Sequence, residues 1–293
     1  MATRAQWISG TRPRTLPAAI APVLVGTAIA HYESHAYLGI ALCALVVALA
    51  LQVGVNFAND YSDGIRGTDK VRVGPVRLVG QNLASASSVK RAAFGSFAVA
   101  VVAGLLMTIL SGLWILIPIG ISAVIAAWFY TGGSRPYGYA GFGELFVFVY
   151  FGLVAVVGTA TSQTKHVSAL ALIAGISCGL LTCAILVANN LRDIPSDEVS
   201  GKHTLAVRLG DARTRRLYQL LVILGIALSG LLAVIAGGPQ LAWAGLATGF
   251  VAVEPVKQVR AGAKGPDLIS VLASTGKILL AYSLILSFAI WVS

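Results

Sequence analysis

Apolar stretches long enough to cross a bilayer follow one another along this whole chain, and little can be built from such a succession. A helix needs roughly 20 apolar residues to span the hydrocarbon core. Nine spans are predicted, at residues 16–33, 38–59, 89–111, 113–131, 144–163, 168–190, 216–237, 240–257 and 273–292. The stretches are continuous and do not alternate, which favours helices over a closed barrel, the other structure lipid tolerates. Only 11% of the residues are charged, against roughly 25% in a soluble domain, so water cannot surround the fold. The expectation is an all-α polytopic membrane protein, with residues 1–293 as a single transmembrane domain.

Arg4, Arg12 and Arg14 precede an apolar run ending Ala28-Ile29-Ala30, which superficially resembles a signal peptide. Pro13, Pro17 and Pro22 interrupt that run and many spans follow, so a retained first helix is expected. Cys43, Cys178 and Cys183 lie inside apolar runs and read as small packing residues. Of the 21 Lys and Arg, all but Lys165 fall on one side of the predicted topology. By the positive-inside rule that side is cytoplasmic, with the N-terminus inside and the C-terminus outside. The net charge of +10 is therefore a topology signal, and no nucleic-acid partner is expected.

The acidic residues are few and clustered. Asn56, Asp60, Asp63 and Asp69 close the second span, and Asn189, Asp193 and Asp197 close the sixth. On a continuing helix, spacings of three and four residues put each set on one face. Bare carboxylates so spaced repel by several tenths of a kcal/mol, so a cation should neutralise them. Mg²⁺ suits oxygen-only ligands and is commonly shared with substrate phosphates; two facing sets suit a two-metal clamp. Gly64 and Gly67 are expected to break the helix so that Asp69 turns back, and Pro195 to end or distort the second helix. Seven of the 11 acidic residues lie in or beside these loops: Asp60, Asp63, Asp69, Asp193, Asp197, Glu198 and Asp211. Val76-Arg77-Leu78-Val79-Gly80 and Val207-Arg208-Leu209-Gly210 follow the two clusters, giving a weak parallel repeat. Repeats of this kind often place a site between the halves.

Arg77, Lys202 and Arg208 share those loops. Guanidinium forks match phosphate oxygens, and an ammonium acts as a point charge. The segment Trp128 to Tyr139 ends the fourth span on the same side. Its rings could face a developing allylic cation, and Arg135 could hold a carboxylate. Glu144 reads as a helix-start charge favoured by the dipole; Glu254 has no assigned role. Three of the four histidines, His31, His35 and His166, lie on the outer side and read as surface residues. Together these residues imply a metal–diphosphate site at one end of a helical bundle, for a substrate with a long apolar part. A prenyl diphosphate meets both demands; the nucleophile stays open.

Asn56-x-x-Asn59-Asp60-x-x-Asp63 and Asn189-Asn190-x-Arg192-Asp193-x-x-x-Asp197 resemble the paired aspartate motifs of the UbiA-type intramembrane aromatic prenyltransferases. The resemblance covers essentially the whole chain. It sharpens to the 1,4-dihydroxy-2-naphthoate branch of menaquinone biosynthesis through Arg12 to Pro17, Gly74 to Val79, Tyr130 to Gly133, Arg135 to Tyr139 and Thr204 to Gly210. It implies nine helices around a central cavity open sideways to lipid, in a bacterial plasma membrane, with the aspartate-rich helix ends cytoplasmic. It implies Mg²⁺-dependent transfer of a polyprenyl group from polyprenyl diphosphate to the naphthoate, with loss of CO₂ and diphosphate, giving demethylmenaquinol. By this resemblance Asp60, Asp63, Asp193 and Asp197 are catalytic; with Asn56, Asp69 and Asn189 they serve two metals. Arg77 and Lys202 hold the diphosphate, while Tyr130, Arg135 and Tyr137 orient the aromatic acid. Asp69 stands six residues past Asp63, where the wider superfamily usually has four. The alternatives are another acceptor, such as 4-hydroxybenzoate, haem or a sugar phosphate, or a cation-coupled transporter, which would keep its acids near the midplane.

Overall fold

The computed structural model describes residues 2–67, 76–235 and 237–293, and among them no strand occurs. Asp69, with Gly74 and Pro75 of the quoted motifs, lies outside the described residues. A short helix α1 (Arg4–Gly10) and a 3₁₀ turn (Pro13–Thr15) precede α2 (Pro17–Glu33), α3 (Leu38–Arg66), α4 (Ala86–Ser111) and α5 (Leu116–Phe129). Next, α6 (Gly143–Val147) runs through a π-helical stretch (Phe148–Val154) into α7 (Ala155–Thr164). Then come α8 (Ala169–Val199), α9 (Leu205–Val234), α10 (Thr248–Arg260) after a 3₁₀ segment (Gln240–Ala247), and α11 (Asp267–Trp291).

Each predicted span overlaps a helical segment, but among the described residues six helices are long and apolar enough to cross a bilayer, and the bent pair Arg4–Thr15 with Pro17–Glu33 makes a seventh if counted as one span. Helix α5 has only 14 residues, about 21 Å at 1.5 Å per residue, and the 240–260 segment opens as a 3₁₀ helix. Large apolar side chains such as Leu105, Ile109, Phe250 and Phe288 stand exposed around the bundle. A water-facing monomer rarely carries such a continuous apolar belt. This is a multi-pass membrane protein.

Helix α8 is the most enclosed: 72% of its apolar window is buried, against 33% for α3. It packs along α9 and against α11, while α3 packs along α4 and α2 joins the halves through α7 and α11. The π stretch lies on α8 where Gly152 meets Gly179; a Cβ on Gly152 would stand 2.5 Å from the Gly179 Cα. A Cβ on Gly179 would in turn stand 2.8 Å from the Phe148 ring.

Two helix-breaker expectations are corrected. Gly64 stays inside α3, and its missing Cβ admits Val79, whose Cβ would otherwise be 2.5 Å away. The helix ends at Gly67, with φ 73°, a left-handed conformation that glycine takes without a Cβ clash. Helix α8 runs through Pro195 to Val199, so all of Asn189, Asp193 and Asp197 stand on one continuous helix.

Between α2, α3, α4, α5 and the α6–α7 run lies a cavity of about 720 Å³. Its wall is almost wholly apolar, with Leu51, Ile121 and Phe151 among the lining residues. Tyr130 and Tyr137 line it where α5 ends, and Leu113 and Val167 line it beyond the start of α5. It therefore follows most of the length of α5.

Candidate active site

The C-terminal end of α3 is met by Leu78 and Val79. Asp60 is 1% exposed, and its two oxygens accept the backbone N–H groups of Leu78 at 2.7 Å and Val79 at 3.0 Å. The Arg12 guanidinium acts on the same carboxylate. One turn on, Asp63 accepts from the Tyr139 hydroxyl at 2.5 Å. It also pairs with Lys202 at 3.1 Å and Arg77 at 3.7 Å. All three charged side chains are at most 8% exposed, so their attraction is little screened.

Asn56 turns inward. Its amide donates to the Thr11 carbonyl at 2.8 Å and to Thr15 Oγ1 at 3.2 Å, and Gln52 donates to the same hydroxyl at 3.0 Å. These bonds fix the turn that carries Arg12, whose backbone sits at φ 53°. A non-glycine residue in that conformation is uncommon and strained. Its position beside the Asp60 carboxylate makes Arg12 a site residue that sequence reasoning passed over.

At the end of α8, Asp193 receives Arg192 Nε at 2.7 Å and its terminal nitrogen at 2.8 Å. The same guanidinium donates to Asn189 Oδ1 at 2.9 Å. Asp197 is buried one turn further, and its carbonyl accepts the Lys202 N–H at 2.8 Å. That bond folds the chain back so that the Lys202 ammonium reaches Asp63. Asn190 donates to Glu144 Oε1 at 2.9 Å. Glu144 stands in the first turn of α6, the helix-start position expected, and it is also buried and ties α6 to the second motif.

The segment 130–141 joins the two clusters to the cavity. Thr131 donates to Asn59 Oδ1 at 2.8 Å, and Arg66 donates to the carbonyls of Thr131 and Gly133. Tyr137 stacks on Phe146 with ring centres 3.9 Å apart and lies edge-on to Tyr130 at 5.5 Å. Its hydroxyl donates to the Ala126 carbonyl at 2.9 Å. Burial pushes the Tyr137 phenol well above its ordinary range, and the neighbouring Tyr130 and Tyr150 add to the shift. Tyr139 completes the link: its hydroxyl holds Asp63, its ring lies under Lys202 at 4.6 Å, and its carbonyl accepts the His203 N–H. Arg208 is exposed and donates to the His203 carbonyl at 3.2 Å, beside Gly141. Arg135 is exposed on the turn before Tyr137.

The geometry thus brings Asp60, Asp63, Arg77, Lys202 and the 130–139 aromatics to one end of the bundle, with Asn189, Asp193 and Asp197 on the helix that leads into Lys202. The donor types, carboxylate and amide oxygens held almost dry, fit a hard divalent cation in their chemistry. Among the described residues no three His, Cys, Asp or Glu side chains gather as one metal-holding group. The carboxylates are held by cations and amides instead.

The description "UbiA prenyltransferase family" matches residues 19–267. A Mycobacterium tuberculosis protein named 1,4-dihydroxy-2-naphthoate octaprenyltransferase is 53% identical over 285 residues, 97% of this chain and 96% of that protein. A Mycobacterium leprae protein of the same name is 51% identical, over 97% and 95% of the two chains. Among solved structures, a UbiA homolog from Archaeoglobus fulgidus bound to DMAPP and Mg²⁺ superposes with a TM-score of 0.65 at 14% identity, covering 98% of this chain and 99% of that one. That likeness is one of fold.

Proposed function

This chain belongs to the UbiA prenyltransferase family, and from that premise we propose that it transfers a polyprenyl group from polyprenyl diphosphate to 1,4-dihydroxy-2-naphthoate, releasing CO₂ and diphosphate and giving demethylmenaquinol. One observation carries the reading. Asp63 of the first motif shares its carboxylate with Lys202, which follows the second, and Tyr139 joins that pair to the aromatic wall of a long apolar cavity.

In this reading the cavity takes the prenyl chain, and Arg77 and Lys202 take diphosphate oxygens, with Arg208 at the rim. Mg²⁺, held by oxygens of Asn56, Asp60, Asp63, Asp69, Asn189, Asp193 and Asp197, would supply the charge neutralisation that makes diphosphate a good leaving group. The buried carboxylates keep Arg77 and Lys202 oriented before substrate arrives, so little reorganisation is needed. When the allylic C–O bond breaks, its electron pair leaves with diphosphate. The faces of Tyr130 and Tyr137 then stabilise the cation, and the neutral Tyr137 hydroxyl does not compete as a nucleophile. The ring carbon bearing the carboxylate attacks; a C–C bond forms, the bond to CO₂ breaks, and its electron pair restores the aromatic ring. Arg135 would meet that carboxylate at the rim. In this reading the protein lies in a bacterial plasma membrane with nine crossings, and its charge asymmetry supports a cytoplasmic basic end and N-terminus with the C-terminus outside.

The test is incubation of membranes carrying the protein with labelled 1,4-dihydroxy-2-naphthoate and a polyprenyl diphosphate. Prenylated naphthoate is expected. Turnover of 4-hydroxybenzoate with none of the naphthoate would overturn the choice of acceptor.

A further inference from the structure

A second hollow lies away from the aspartates, on the outer side of the bundle where the start of α2 meets the first turns of α11. It measures about 550 Å³, and its wall includes Arg14, Pro17, Ile269, Ala273, Lys277 and Leu280. We infer that this groove binds the phosphate headgroup of an anionic phospholipid, with Arg14 and Lys277 as its two cationic contacts.

The charge balance is one-sided. Arg14 and Lys277 are both exposed, no carboxylate lines the groove, and neither cation has an acidic partner among the described residues. Asp267 flanks the far end of the groove beside Pro266 and Ile269, ten residues before Lys277 on α11, about 15 Å from it along the helix. Lys277 thus stands inside a helix apolar enough to cross a membrane, four residues into the predicted span 273–292 and near its basic end. A cation there is costly unless it meets an anion or water. A lipid phosphate supplies the anion, and the apolar remainder of the groove suits the start of an acyl chain.

The two cations are brought level by a built contact. A Cβ on Gly276 would stand 3.1 Å from the Arg14 carbonyl oxygen, so glycine lets the Arg14 turn lie against α11. That turn is held from its other side by Asn56 and Gln52 of α3 through Thr15. The groove is therefore fixed by three elements rather than formed by two loose surface side chains. It is not part of the cavity beneath the aspartates, and the inference stands independently of the proposed reaction.

Native mass spectrometry of the purified protein, titrated with phosphatidylglycerol or phosphatidylcholine of matched chains, tests it. Wild type should retain phosphatidylglycerol at about tenfold lower concentration, since each basic residue near an anionic surface contributes measurably. Arg14→Gln with Lys277→Gln should bring the two lipids level, and Lys277→Arg should keep the preference. Millimolar inorganic phosphate should not displace the lipid. Equal retention of both lipids by wild type, an unchanged preference in the double variant, or displacement by inorganic phosphate alone would each overturn the assignment. Should the double variant not remain folded, as judged by a monodisperse elution profile, Lys277→Gln alone carries the same expectation at about a threefold loss.

Discussion

Lys202 Nζ lies 3.1 Å from the Asp63 carboxylate, although one residue follows α8 and the other ends α3. The same carboxylate holds Arg77 and the Tyr139 hydroxyl. Asp63→Asn leaves two buried cations facing a neutral amide. Breaking a buried pair by removing one partner costs about 3–5 kcal/mol, and a thermal melt in detergent should show a destabilisation of that order. Prenyl transfer should fall at least about a hundredfold, because the cations lose their orientation. A variant with wild-type stability would show that the pair does not form.

Arg77 and Lys202 are buried cations assigned here to the diphosphate. Lys202→Gln and Arg77→Gln should each lower kcat/KM for the prenyl diphosphate by about tenfold or more, with little change in KM for the aromatic acid. Arg77→Lys should not restore activity fully, since an ammonium lacks the bidentate fork. A change confined to the KM of the aromatic acid would move both residues to the acceptor side.

Gly120 and Gly158 line the cavity, and a Cβ on either would meet nothing within 4 Å. Gly158→Phe therefore puts a ring into empty space where the prenyl chain is assigned. Transfer from a short prenyl diphosphate should persist while transfer from an eight-unit donor falls at least about tenfold. Equal loss with both donors would mean that the chain lies elsewhere.

The Tyr137 phenol is raised by burial and stays neutral in the folded protein, whereas in the unfolded chain it ionises near pH 10. Its contribution to stability is present below about pH 10 and is lost only as pH rises beyond that value. Tyr137→Phe should leave the rate–pH profile between about pH 6 and 9 unmoved. Losing the bond to Ala126 should cost about 1 kcal/mol of stability. A profile shifted within that range would assign the hydroxyl a proton-transfer role.

The helices were legible in the sequence because an apolar run of that length has few alternatives, and the aspartate pairs because acids are scarce in this chain. What could not be read came from contacts between distant segments. Nothing local shows that the amides of Leu78 and Val79 hold Asp60, or that Asn56 spends its amide on the Thr11–Thr15 turn. Gly64 was read as a breaker because its local preference is clear, while its actual partner, Val79, arrives from another segment. The αL backbone at Arg12 is equally hidden: arginine carries no signal for it, and the Pro13 that follows favours an extended backbone instead.

In the proposed mechanism both aspartate motifs act on one diphosphate at one end of the bundle. Mg²⁺-dependent transfer from labelled prenyl diphosphate by purified wild type, Asp60→Ala and Asp193→Ala, each checked for folding by thermal melt, tests this. Product is expected from wild type alone, with chelation of divalent cations abolishing it and Mg²⁺ restoring it. Retained transfer in both variants would contradict that mechanism.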